Sequence, residues 1–176
     1  MKKLKIVIGA TAVIILLLVG LSLTGGSMTT LKHEIKISAP KELVFSTLAN
    51  LELVQNYNPG VITAKYISAE HQGVGAAREC NLGKDGMIRE KVTGFVDGKS
   101  ISMELYAHNW PLEFMHWTTY VEAIGDTTFV SQTMEYKLKF GLIGTLLDKL
   151  MMKRKLDKTI AAVFESMKTY IEKEKS

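Results

Sequence analysis

The chain has 176 residues, 47% of them hydrophobic and 23% charged, with three prolines and a formal net charge of +4. That composition describes about one globular domain and not a disordered chain, and a lone cysteine, Cys80, excludes an intrachain disulfide. Lys2, Lys3 and Lys5 supply three of the net charges and leave +1 for the rest, so outside Lys149 to Lys158 no basic face marks a nucleic-acid partner.

Ile6 to Leu23 runs for eighteen residues without a charge or a proline. As a helix it covers about 27 Å, close to the roughly 30 Å hydrocarbon thickness of a bilayer. Two readings stand. The apolar core of a cleaved signal peptide usually spans about 7–15 residues, and this one is longer, with only Thr24-Gly25-Gly26 as a cleavage site. Those features favour an uncleaved transmembrane anchor, giving a single-pass protein with its N-terminus inside and its domain outside the cytoplasm. Cleavage would instead give a secreted protein. Residues 1–26 are read as anchor or signal plus linker, and 27–176 as the folded domain. The linker from Thr24 to Thr30 reaches at most about 25 Å when extended.

Leu31 to Ser38 alternates Leu31, His33, Ile35 and Ile37 against polar residues, the pattern of a half-buried strand. Pro40 suits the first turn of a helix over Lys41–Leu51, and a short turn to Tyr57 ends at Asn58-Pro59-Gly60. Strands are expected over Val61–Ala69, Ala76–Leu82, Met87–Val96, Ser100–Ala107, Phe114–Ala123 and Thr127–Phe140, with Gly-containing turns between several of them. From Gly144 to Lys173 apolar residues recur at helical spacing: Leu146, Leu147, Leu150, Leu156, Ile160, Val163, Phe164, Met167 and Ile171. One helix of roughly 45 Å is expected there, its stripe lying on the sheet. The predicted class is α+β: a curved antiparallel sheet of about seven strands wrapped on a long C-terminal helix.

In order along the chain stand Ile37-Ser38-Ala39-Pro40 followed by Leu43-Val44-Phe45, Tyr57-Asn58-Pro59-Gly60, Gly73-Val74-Gly75 with Arg78, Arg89-Glu90-Lys91-Val92, and the amphipathic C-terminal helix. Together they resemble the START-like, helix-grip superfamily known as SRPBCC, which includes polyketide cyclase/dehydrase-like and lipid-transfer proteins. The resemblance covers Leu31 to about Lys173. It implies a large apolar cavity between sheet and helix, and it specifies a fold better than a function.

Signatures of chemistry are sparse. There is no Gly-x-Ser-x-Gly elbow, no His-Glu-x-x-His and no phosphate-binding loop, and His33, His71, His108 and His116 have no ligand-like spacing. No cofactor or metal is implied. Strand parity is more informative. If Gly83–Asp85 forms the turn, Cys80 pairs with Ile88 and Arg78 with Glu90 on the inward, otherwise apolar side. Such a pair is either a structural ion pair, an orienting site for a polar ligand head, or a desolvated general acid or base at Glu90. The same parity turns Ile88, Val92 and Val96 inward with Glu90, followed by Met103 and Leu105, then Met115, Trp117 and Val121, then Val130, Met134, Tyr136 and Leu138.

The expected ligand-binding set is therefore Arg78, Glu90, Met103, Leu105, Met115, Trp117, Met134, Tyr136, Leu150 and Phe164. Tyr57, Asn58, Trp110 and Pro111 sit in loops suited to a cavity mouth. Lys149, Lys153, Arg154, Lys155 and Lys158 read either as a solvated helix face or as a contact for anionic lipid. The function expected is a membrane-anchored domain binding a lipid, an isoprenoid or a similar hydrophobic small molecule. The alternatives are a cyclase or aromatase-like enzyme, for which only Arg78, Glu90, Gln132 and Tyr136 offer polar groups, and a non-catalytic cell-envelope accessory protein.

Overall fold

Alternating side chains build the first strand and set the plan of the rest. The computed structural model describes residues 2–175, with side chains for 11 and 13–175. Helix α1 (Lys2–Leu23) precedes β1 (Thr29–Ile37), α2 (Lys41–Ala49), a 3-10 turn at Leu51–Leu53, and α3 (Val54–Tyr57). Then come β2 (Thr63–Tyr66), β3 (Ala77–Asn81), β4 (Met87–Val96), β5 (Ser100–Ala107), β6 (Leu112–Ile124) and β7 (Thr127–Leu138). The chain closes with α4 (Gly141–Leu147), a π-helical turn at Asp148–Met152, and α5 (Lys153–Glu174). All strand pairs are antiparallel in one seven-stranded sheet ordered β1-β7-β6-β5-β4-β3-β2. A longer loop over residues 67–76 joins β2 to β3, short turns dictate the meander from β3 to β7, and β1 returns to the far edge beside β7.

Helix α5 lies on the sheet because Ile160, Phe164, Met167 and Ile171 recur on one face, and all four are buried. They join a core that includes Ile37, Val44, Leu51, Leu112, Val130 and Tyr136. Burying one such aliphatic side chain contributes about 1.5–3 kcal/mol.

The structure departs from sequence expectation in four places. β2 keeps only four residues of the strand expected over Val61–Ala69. In β4 the pairing shifts register between Val92 and Gly94, so the bulge reverses parity. Val96 turns outward in consequence, while Phe95 packs on the core and its ring meets Phe45 edge-on at 5.6 Å.

The third departure is in the C-terminal helix, which is not one uninterrupted α-helix. Its π turn inserts a change of phase before Lys153. The stripe read from Leu146 through Ile171 is thereby split, and Leu146, Leu147 and Leu150 are exposed instead of facing the sheet. The start of α4 is equally particular. Phe140 (φ 74°) and Gly141 (φ 54°) are both left-handed, reversing the chain directly after β7. A Cβ on Gly144 would stand 2.1 Å from the Lys139 carbonyl oxygen, so only glycine lets α4 pack this closely on the end of β7.

The fourth is the linker expected over Thr24–Thr30, whose last two residues, Thr29 and Thr30, already belong to β1. The backbone at Gly141 packs against the carbonyls of Leu21, Ser22 and Thr24, and Ser27 N–H donates to Thr145 Oγ1 at 2.9 Å. Thr29 Oγ1 donates to Asp148 Oδ2 at 2.6 Å. Among the described residues no helix is long and apolar enough to cross a membrane. The span expected over Ile6–Leu23 falls in part on side chains outside those described.

Candidate functional site

A cavity of about 540 Å³ lies between the sheet and α5. Its walls are mostly apolar: Ile88, Ile101, Met103, Leu105, Met115, Trp117 and Met134 from β4–β7, and Leu156, Ile160, Val163, Phe164 and Met167 from α5. Leu48, Val54 and Tyr57 close a further side from α2 and α3. The long, pliable side chains of four methionines among these residues suit a void whose shape must adapt to an occupant.

One ion pair interrupts the apolar lining. Arg78 on β3 stands directly across from Glu90 on β4, and Cys80 from Ile88, the register that a turn at Gly83–Asp85 dictates. Arg78 Nε donates to Glu90 Oε2 at 2.6 Å, with Arg78 6% and Glu90 8% exposed. Arg78 Nη1 donates to the Leu51 carbonyl at 3.0 Å, which ties the corner between α2 and α3 to the sheet. The Tyr66 hydroxyl accepts from Leu51 N–H at 2.9 Å on the same corner. Cys80 Sγ, 3.9 Å away, donates weakly to the same Glu90 oxygen. Glu90 Oε1 takes no protein hydrogen bond among the described residues. The pair therefore ties the sheet to this corner through Arg78, and one Glu90 oxygen stays outside that network.

The protonation states follow from burial and from these neighbours. Burial pulls the Arg78 guanidinium down, but Glu90, helped by Cys80 and Tyr57, outweighs it and the net direction is upward. Arg78 is a permanent cation in this wall. Burial and then the Glu90 charge push the Cys80 thiol up to about 12, so it is an inert core thiol at neutral pH. Burial also raises Tyr57, keeping its phenol neutral beside Arg78. The remaining polar lining includes Thr119, which accepts from Gln132 Nε2 at 3.0 Å, together with Asn58, Asp85, Lys155 and Thr159.

Of the ten residues singled out from sequence, eight line this cavity: Arg78, Glu90, Met103, Leu105, Met115, Trp117, Met134 and Phe164. Tyr136 and Leu150 do not. Tyr136 is fully buried, but its hydroxyl donates to Asp148 Oδ1 at 2.5 Å, beyond the cavity lining. Leu150 is 67% exposed, because the π turn rotates it away from the sheet. Tyr57, Asn58, Trp110 and Pro111 all line the cavity, although Tyr57 does so from the last turn of α3 and not from a loop. Sequence reasoning misses Thr119, although it shares the parity of Met115, Trp117 and Val121. It also misses Asp148, a buried acid held by Tyr136 and Thr29, because helical periodicity assigns that position to the solvent face.

Among the described residues no group of three or more His, Cys, Asp or Glu side chains could hold a metal ion. Residues 28–172 match the family described as polyketide cyclase / dehydrase and lipid transport. No curated protein matches the chain in sequence. In structure the chain is similar to TTHA0849 from Thermus thermophilus, at 18% identity and a TM-score of 0.69, covering 84% of this chain and 100% of that one. It is similar to norcoclaurine synthase from Thalictrum flavum, solved with dopamine and hydroxybenzaldehyde, at 15% identity and a TM-score of 0.66, covering 85% and 90%. It also resembles Ara h 8.0201, at 14% identity and a TM-score of 0.65, covering 82% and 98%. At these identities the likeness is one of fold.

Proposed function

Because the chain belongs to the polyketide cyclase / dehydrase and lipid transport family, we propose that it binds a hydrophobic small molecule, a lipid or isoprenoid with one polar end, between its sheet and α5. The observation that carries this reading is the buried Arg78–Glu90 ion pair in the wall of a mostly apolar cavity of about 540 Å³. That size falls within the usual range for small-molecule sites, roughly 300–1,000 Å³, in which a few polar groups fix orientation and apolar walls provide contact area. A hydroxyl or amine on the ligand would donate to Glu90 Oε1, while Arg78 holds the opposite oxygen in place. The apolar remainder would lie along Met103, Leu105, Trp117 and Met134, under Phe164.

We further read α1 as an uncleaved anchor that holds the domain at a membrane, N-terminus inside and domain outside. Support comes from the uncharged run Ile6–Leu23, the lysines that precede it, and the exposure of Val13 to Val19 along the helix. An anchored cavity would meet ligands dissolved in the same bilayer at high effective concentration.

Mass spectrometry of the full chain purified in mild detergent tests the ligand reading. The expected result is a co-purifying apolar molecule lost on filling the cavity with Met103→Trp. An interior that is empty, and that takes up nothing from a total lipid extract, would refute it. Protease accessibility in sealed vesicles tests the sidedness separately.

A further inference from the structure

We propose that α4 and the π turn after it form a second, peripheral membrane contact: a platform seated in the headgroup region of an anionic bilayer where α1 emerges. The proposal rests on the anchor reading and adds a surface that the anchor alone does not require. Phe140, Leu142, Leu146, Leu147, Leu150 and Met151 are all exposed, Leu150 by 67% and Met151 by 70%. Six large apolar side chains within one short reversal of the chain form an uncovered patch of a kind that usually marks an interaction surface.

Two observations identify what covers it. The first is position. The backbone of Gly141 rests on the carbonyls of Leu21, Ser22 and Thr24, and Ser27 and Thr29 are hydrogen-bonded to Thr145 and Asp148. The patch is therefore fastened to the C-terminal end of the apolar helix, at the depth where a spanning helix leaves the hydrocarbon. The second is charge. Lys149 lies within the patch and Lys153, Arg154, Lys155 and Lys158 follow it, all exposed, and none is in an ion pair among the described residues. The two acids in the same stretch are accounted for elsewhere: Asp148 is buried on Tyr136 and Thr29, and Asp157 faces His33 at 3.1 Å. Apolar side chains flanked by unpaired cations match the chemistry of an anionic lipid surface, with apolar groups among the acyl chains and lysines among the headgroups. The segment also borders the ligand site, since Met152 and Lys155 line the cavity. Seating the patch in lipid would thus set the cavity against the bilayer that supplies it.

The test uses the full chain with Cys80→Ala, labelled with an environment-sensitive fluorophore at Leu150→Cys or, as a control, at Asp126→Cys. Position 126 lies at the far end of β7, roughly 36 Å from α4 at about 3.3 Å per residue. Both are reconstituted in phosphatidylcholine vesicles containing phosphatidylglycerol, with brominated lipid as quencher. Strong quenching at 150 and little at 126 is expected. Lys149→Glu with Lys153→Glu should reduce the quenching at 150, and vesicles of phosphatidylcholine alone should do the same. Each charge near the surface changes interfacial occupancy about fivefold, so the two reversals together should lower it at least about 25-fold. Quenching at 150 no greater than at 126 overturns the platform. Alkaline extraction of the same vesicles reports on α1 alone, so a chain that resists extraction without quenching at 150 keeps the anchor and loses the platform.

Discussion

Removing one partner of the Arg78–Glu90 pair is the perturbation with the most consequences. Arg78→Met strands a carboxylate that is 8% exposed and also leaves the Leu51 carbonyl without its donor. Breaking a buried ion pair from one side costs about 3–5 kcal/mol, because the surviving charge stays desolvated. For a domain of this size each kcal/mol lowers Tm by about 2–4 °C, so Arg78→Met should lower it by roughly 6–20 °C. Glu90→Leu should fall in the same range by stranding the guanidinium. The double variant Arg78→Met/Glu90→Leu has no buried charge to strand, and its loss should be much smaller than the sum of the two single losses. Thermal unfolding of the four proteins as a cycle measures the coupling. If both single variants melt within about 2 °C of the parent, the lower end of the shift for one kcal/mol, or if the losses simply add, the pair is effectively solvated and the reasoning fails. The double variant should also keep an apolar ligand while losing preference for one with a polar end.

Tyr136→Phe removes the donor that holds Asp148 and should cost about 1–3 kcal/mol, with faster amide exchange across Gly141–Leu147 in hydrogen-exchange mass spectrometry. Gly144→Ala sets a methyl group against the Lys139 carbonyl and should destabilise by about 1–3 kcal/mol in chemical denaturation, although alanine is the better helix former. A folded-state thiol pushed from its ordinary 9.0 up to about 12 contributes stability that is fully present below pH 9 and lost as pH rises through about 12. Tyr136, raised by burial and by Asp148, adds a loss of the same sign above pH 10. Tm should therefore fall on the alkaline side from about pH 9, and Cys80→Ala should flatten the first part of that fall.

Local periodicity carries most of the fold into view. The β3–β4 pairing is legible because a glycine-bounded turn fixes the register, and strand parity then places Arg78 opposite Glu90. Parity also identifies Met103, Leu105, Met115, Trp117 and Met134, because residues two apart share a face. Periodicity, of strand and of helix, fails at Val96 and Leu150 for one reason. A bulge in β4 and a π turn before α5 each insert a residue, and insertion changes phase without any signature in hydrophobicity. Tyr136 fails differently: parity buries it correctly, but its hydroxyl finds Asp148 across a contact that only the tertiary fold creates.

The π turn also bears on how this surface could be gained or lost. Its effect depends on residue count, not on side-chain chemistry: one residue more or less turns everything upstream by about 100° relative to α5. Loss of a single codon within Asp148–Met152 would swing Leu146 and Leu147 relative to the sheet while every other apolar residue kept its identity. Two chains alike in composition could thus differ in whether this segment shows apolar side chains to its surroundings. Substitution-based comparison would not detect the difference, whereas an alignment gap at this turn would.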